Sequence, residues 1–149
     1  MNSRKEFVTL FREIHPKFSR LYAEMLGEID LTLPQYTLLY QLMLFGTVPM
    51  TEISSRLRIT KPAVTNLVDR LEEKKFLERI SHPKDRRVNL LNILPRGKKA
   101  VAKIQADSLG ISLKAYDQFD SAERKIISRF YGAVSKTADN FLERIENAK

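Results

Sequence analysis

Apolar side chains recur every three or four positions at the start of the chain, at Phe7, Leu10, Phe11, Ile14, Phe18, Leu21, Tyr22, Met25 and Leu26. The spacing predicts one amphipathic helix over residues 4–28. Pro16 lies inside the pattern, and its missing N–H is expected to kink or interrupt that helix. Thr32-Leu33-Pro34-Gln35 then reads as a capping box, with Pro34 in the first turn where an N–H is dispensable. It opens a second helix whose apolar face is Leu38, Leu39, Leu42, Met43 and Phe45, and which Gly46 ends. A third helix is expected over residues 51–57, with Ile53 and Leu57 inward and Thr51 as a candidate cap. Arg58-Ile59-Thr60 is a tight turn, and Thr60 caps a fourth helix that again carries a first-turn proline, Pro62. Val64, Leu67, Val68 and Leu71 line one face of it; Lys61, Pro62, Thr65, Asn66, Asp69 and Arg70 lie on the other.

The period then changes. Residues 77–81 and 89–94 read as two short strands, joined by the polar loop His82-Pro83-Lys84-Asp85-Arg86-Arg87-Val88. From Pro95 a long helix follows, on Ala100, Val101, Ile104, Leu109, Leu113 and Tyr116, with Gly110 as a weak point. The last helix, residues 121–146, is capped by Asp120 or Ser121 and carries Ile126, Ile127, Phe130, Val134, Phe141, Leu142 and Ile145. The fold class is therefore mainly α with a small β-wing: a winged helix-turn-helix flanked by long N- and C-terminal helices. Those outer helices are too long and too apolar to be covered by the short segment between them, so a second copy of the chain is the expected cover. The expected organisation is a helical dimerisation region at 1–30 and 95–149 and a winged helix-turn-helix DNA-binding region at 31–94.

Charge sharpens this picture. Between Arg56 and Lys99 stand 13 Lys and Arg against 5 Asp and Glu, a net +8 that equals the charge of the whole chain. A cationic focus on a helix-turn-helix pattern is an electrostatic footprint for nucleic acid. Thr65 and Asn66 are short hydrogen-bonding side chains suited to base edges in the major groove, and Asn can bridge adenine N6 and N7. Pro62 and Ala63 offer apolar surface to a thymine methyl, and Lys61 and Arg70 reach guanine or phosphate. Thr51, Ser54 and Ser55 are further candidate phosphate donors. Arg86 and Arg87, at the hairpin tip, suit a narrow minor groove, with Asp85 bracing the Arg87 fork. The competing readings are a solvated helix face and a hairpin tip charged only to keep the sheet edge soluble.

Other classes fall away. There is no cysteine, so no disulfide, thiolate zinc site or thiol redox switch is available. Two histidines do not make a transition-metal site, and no cofactor is expected. No nucleophile–base pair or phosphate-binding glycine loop is present, so an enzyme is not expected. Apolar runs are only a few residues long, as at Leu42–Phe45, and the amino-terminal segment lacks a signal-peptide core. A cytoplasmic protein without membrane contact is the expectation.

Three stretches carry a resemblance. Leu31-Thr32-Leu33-Pro34-Gln35, the run from Thr60 to Glu72, and Asp85-Arg86-Arg87 with Leu90, Ile93 and Gly97 following, together resemble the MarR family of winged helix-turn-helix transcription regulators. The resemblance implies a homodimeric repressor that binds a short inverted repeat in double-stranded DNA and is released by a small aromatic or anionic effector. It makes Arg87 the minor-groove reader and Asp85 its brace. It also implies an effector site between the dimerisation helices and the DNA-binding part, for which His15, Phe18, Tyr22, Tyr36 and Tyr40 are candidates; ordinary core or interface packing is the competing reading. Without cysteine, the thiol-based peroxide-sensing branch is disfavoured. Two departures stand out. Phe76 replaces the glycine that usually follows the fourth helix, so the turn into the wing is expected to differ, and Leu94-Pro95 removes a side-chain cap from the fifth. The alternative function is a winged-helix module for non-specific nucleic-acid or protein binding.

Overall fold

In the computed structural model, which describes Ser3–Ala148, the chain runs through α1 (Ser3–Glu28), α2 (Leu33–Phe45), β1 (Val48–Pro49), α3 (Met50–Leu57), α4 (Lys61–Glu73), β2 (Leu77–Ser81), β3 (Asn89–Ile93), α5 (Pro95–Tyr116) and α6 (Ser121–Asn147). It divides into two compact units at Ser108–Leu109, inside α5. The first holds the core, where Leu38, Leu39, Ile53, Val68, Leu71 and Leu91 are fully buried. Burial of one such side chain is worth about 1.5–3 kcal/mol.

Side-chain caps form where the sequence predicts them. The Thr32–Gln35 capping box forms in both directions, at 3.4 Å for the Gln35 N–H to Thr32 Oγ1 and 3.0 Å for the Thr32 N–H to Gln35 Oε1. The Ala63 N–H donates to Thr60 Oγ1, which caps α4. Asp120 and Glu123 form a second capping box at the start of α6.

Four expectations are corrected. α1 passes through Pro16 without interruption, because losing one N–H leaves the neighbouring turns bonded. Met43 and Phe45 do not belong to the buried face of α2: both are exposed beside Leu44. Instead Phe45 lies under the Arg56 guanidinium, 4.0 Å from its centroid. α3 begins at Met50, so Thr51 is inside the helix and does not cap it. The sheet has three strands rather than two. β1, only Val48 and Pro49, pairs antiparallel with β3 at Leu91 and Leu90, and β2 pairs with the other edge of β3 from Leu77↔Ile93 to Ser81↔Asn89. Two residues carry no periodicity, so β1 was not legible.

The turn into the wing keeps a left-handed residue despite Phe76. Lys75 adopts φ 58°, one position before the expected glycine. The Phe76 N–H donates to Leu71 O and the Lys75 N–H to Glu72 O, both at 2.9 Å, which is the Schellman pattern with buried Phe76 and Leu71 as its apolar pair. α1 ends the same way at Asp30 (φ 54°), and α3 at Arg58 (φ 52°). Beyond the turn, Leu94 donates to Phe76 O at 3.0 Å, and buried Gly97 packs on that carbonyl so closely that an added Cβ would lie 2.3 Å from its oxygen.

The second unit, from Leu109 onward, is the end of α5, a short turn and α6. Arg124 holds its turn, donating to Tyr116 O (3.2 Å) and Asp117 O (2.8 Å). No residue of α6 is buried: Phe130, Tyr131, Val134, Phe141 and Leu142 are all exposed.

Two outcomes follow for stability. Gly97→Ala forces the methyl into the Phe76 backbone and is expected to lower the unfolding free energy by about 1–3 kcal/mol in urea titration. Lys75→Gly relieves the left-handed backbone at an exposed site and is expected to raise it by about 0.5–1 kcal/mol.

Candidate nucleic-acid interface

α4 turns Val64, Val68 and Leu71 into the core, and this fixes what faces outward: Lys61, Pro62, Thr65, Asn66 and Arg70 are exposed and Ala63 is half-buried. The Thr65 hydroxyl donates to Lys61 O (3.1 Å), so its oxygen remains as an acceptor for a base amino group beside its methyl. The Arg70 Nε donates to Asn66 Oδ1 (3.1 Å) one turn earlier. Thus two of the expected reading residues are already tied to neighbours on the same helix.

The outward face of α4 meets the wing. A cleft of about 230 Å³ is lined by Thr51 and Ser54 of α3, Lys61 and Thr65 of α4, and Arg87 and Asn89 at the wing. A second cleft, of about 590 Å³, lies on the other flank of α4, where Ala63, Asn66 and Arg70 face Thr32, Ile59 and Lys74. At the wing tip, Lys84, Asp85, Arg86 and Arg87 are exposed. Asp85 does brace its neighbour, but through the backbone: its Oδ1 accepts the Arg87 N–H at 3.0 Å, an Asx turn, and not the guanidinium fork. His82 accepts the Lys84 N–H at Nδ1 (3.1 Å), and its backbone N–H donates to Val88 O. Among the described residues the Lys61 ammonium and the Arg86 and Arg87 guanidiniums have no hydrogen-bond or ion-pair partner.

Two arginines that the sequence did not single out hold this surface in place. Arg79 of β2 pairs with both Asp69 and Glu72 of α4 and gives its backbone N–H to Glu72 Oε1 (2.9 Å). Partial burial opposes its charge, but the hydrogen bonds to Asp69 and Glu72 outweigh that and push its pKa above the ordinary value. Two of the three acids of α4 are thereby paired where they would repel a polyanion. Arg96 caps the other end, donating to Lys74 O (2.7 Å) with its guanidinium 4.6 Å from the Phe76 ring centroid. Both pairings span residues distant in sequence, with no fixed spacing to reveal them.

The candidate effector residues separate into two groups. Tyr36 and Tyr40 stack at 6.1 Å, and both are half-buried, as are Tyr22 and Phe18. Desolvation, then the nearby Tyr22 and Tyr40, raise the Tyr36 pKa, so its phenol stays a proton donor. His15 is exposed, with its ring 6.4 Å from that of Phe11. None of the five lines either cleft beside α4. Among the described residues no group of three or more His, Cys, Asp or Glu could hold a metal ion, and no helix is long and apolar enough to cross a membrane.

The element order and the basic hairpin beside the fourth helix define a winged helix-turn-helix protein. The sequence profile of the MarR family matches residues 29–88. The HTH-type transcriptional regulator YhbI of Bacillus subtilis (strain 168) is 22% identical over 136 residues, covering 91% of this chain and 88% of YhbI. The HTH-type transcriptional repressor MdtR of the same organism is 34% identical over 83 residues, 54% of each chain. The S. aureus MepR–DNA complex superimposes with a TM-score of 0.75 at 22% identity, over 88% of this chain and 98% of that one. Over residues 29–88 the chain is thus similar to the MarR family, and its relatives YhbI and MdtR are named as a transcriptional regulator and a transcriptional repressor.

The Asx turn generates one expectation. Asp85→Ala removes the acceptor for the Arg87 N–H, so amide hydrogen exchange should quicken at residues 84–88 while global stability changes by less than about 0.5 kcal/mol. Unchanged exchange would show that the tip is held without it.

Proposed function

We propose that the protein is a homodimeric repressor that reads a short inverted repeat in double-stranded DNA and is released by a small aromatic or anionic ligand. The observation that carries the DNA-reading part is the convergence of Lys61 and Thr65 of α4, the hydroxyls of α3 and Arg87 of the wing around one cleft. α4 enters the major groove with Lys61, Pro62, Ala63, Thr65, Asn66 and Arg70; Arg86 and Arg87 reach the minor groove, with Asp85 shaping the tip. MepR, solved with DNA, and MdtR, named a repressor, support this reading by likeness.

Residues 1–30 and 95–149 form the dimerisation region in this proposal, and 31–94 the reading region. The support is the row of exposed apolar side chains on the first half of α1 (Phe7, Leu10, Phe11, Ile14) and on α6 (Phe130, Phe141, Leu142), which a second copy would remove from water. Two-fold symmetry then sets the recognition helices about 10 base pairs apart. The half-buried Tyr22, Tyr36 and Tyr40 offer an effector apolar rings with hydroxyl tips. His15 and Phe18 lie on the same helix as Tyr22.

The test is footprinting on tiled upstream DNA at physiological salt with excess non-specific competitor, alongside molar mass by light scattering. One protected two-fold site and a dimeric mass are expected. Lys61→Ala should weaken binding to all sequences alike and lower the salt slope by about one. If random-sequence selection also returned no preferred site, the protein would be a non-specific or protein-binding module instead.

A further inference from the structure

Arg70 sits one helical turn after Asn66 on the exposed face of α4, and its only side-chain hydrogen bond among the described residues runs from Nε to Asn66 Oδ1, at 3.1 Å. A guanidinium N–H has no lone pair, so only the carbonyl end of the amide can face it. That settles which way the Asn66 amide points before any partner arrives. The carbonyl oxygen keeps a second lone pair and the amino group keeps two donors, so the edge that pairs with a base survives, already oriented. The two terminal nitrogens of Arg70 are meanwhile without partners among the described residues, and they carry the charge outward.

We infer that Arg70 is a positioning residue for base reading: Nε holds the Asn66 amide in its reading orientation while the terminal nitrogens engage a DNA phosphate. This rests on the DNA-reading role proposed for α4. It couples a sequence-independent contact to a sequence-dependent one through a single side chain, so a phosphate in the correct place steadies the amide that tests the base.

The side-chain chemistry separates the two roles. Glutamine places an N–H donor the same number of bonds from Cα as Arg Nε, but without charge; lysine places a methylene there and its charge one atom further out. In a base-by-base selection with the full-length protein, Arg70→Lys should keep overall affinity within about threefold and keep the salt slope, yet lose roughly tenfold of the discrimination at one base pair in each half-site. Asn66→Ala should lose discrimination at that same base pair. Arg70→Gln should keep the preference there, bind all sequences more weakly and lower the salt slope by about one. Both side chains are exposed, so none of these changes disturbs the core.

The inference is overturned if Arg70→Lys keeps the full preference, which would make Arg70 a phosphate contact alone. It is equally overturned if Arg70→Gln and Arg70→Lys lose the preference together, which would make Arg70 itself the reader. Asn66→Ala with an intact preference would leave nothing for Arg70 to position. A wild-type protein that selects no site at all would instead bring down the DNA-reading role, and this inference with it.

Discussion

At the carboxyl end of α4 the backbone carbonyl of Phe76 accepts the Leu94 N–H, and Gly97 crosses it at a distance that excludes any β-carbon. This single crossing ties the last turn of α4, the base of the wing and the start of α5 to one point. The Schellman turn at Lys75, the Arg96 cap on Lys74 O and the Lys74 bonds to Asp30 close the same junction from other directions. The free carbonyls of a helix end need partners: Leu71 O and Glu72 O find them in the N–H groups of Phe76 and Lys75, and Lys74 O in Arg96 of α5. The outward face of α4 is aimed by this junction, because rotating the helix would break bonds at its end before moving its exposed side chains.

The wing is joined to α4 by the same logic. Arg79 reaches from β2 to Asp69 and Glu72, so the strand that carries the basic hairpin and the helix that carries Thr65 and Asn66 share an ion-pair network. The network also pairs two negative charges in the neighbourhood of Lys61, Arg86 and Arg87. Positive potential is thereby kept where partner-free cations stand, which is the arrangement that attracts a polyanion and orients it during approach.

Local chemistry made the starts of α2, α4 and α6 legible. Thr32 with Gln35, Thr60 before Pro62, and Asp120 with Glu123 are capping signals that act within one turn, and each forms as its spacing requires. The inward faces of α2 and α4 followed from three- and four-residue spacing up to Leu42 and Leu71. Contacts between residues distant in sequence leave no such local signal. Met43 and Phe45 continue the apolar run of α2, yet both stay exposed, and Phe45 meets the Arg56 guanidinium rather than the core. The two-residue strand β1 exists only because β3 offers it a free edge.

Sequence by itself determined the order of α1 to α6 and of the two wing strands β2 and β3, the side-chain caps of α2, α4 and α6, and the concentration of positive charge between Arg56 and Lys99. Those features come from interactions a few residues long, or from composition alone. The tertiary structure decided which polar groups are already engaged: Asp85 with a backbone N–H, Asn66 with Arg70, and the Asp69–Glu72 pair with Arg79. It also decided that Tyr36 and Tyr40 stack while His15 stays exposed, and that left-handed backbone falls on Lys75 rather than on a glycine. The physical reason is that a side chain's partner depends on which groups the fold brings within about 3 Å of it, and no one-dimensional pattern records that distance.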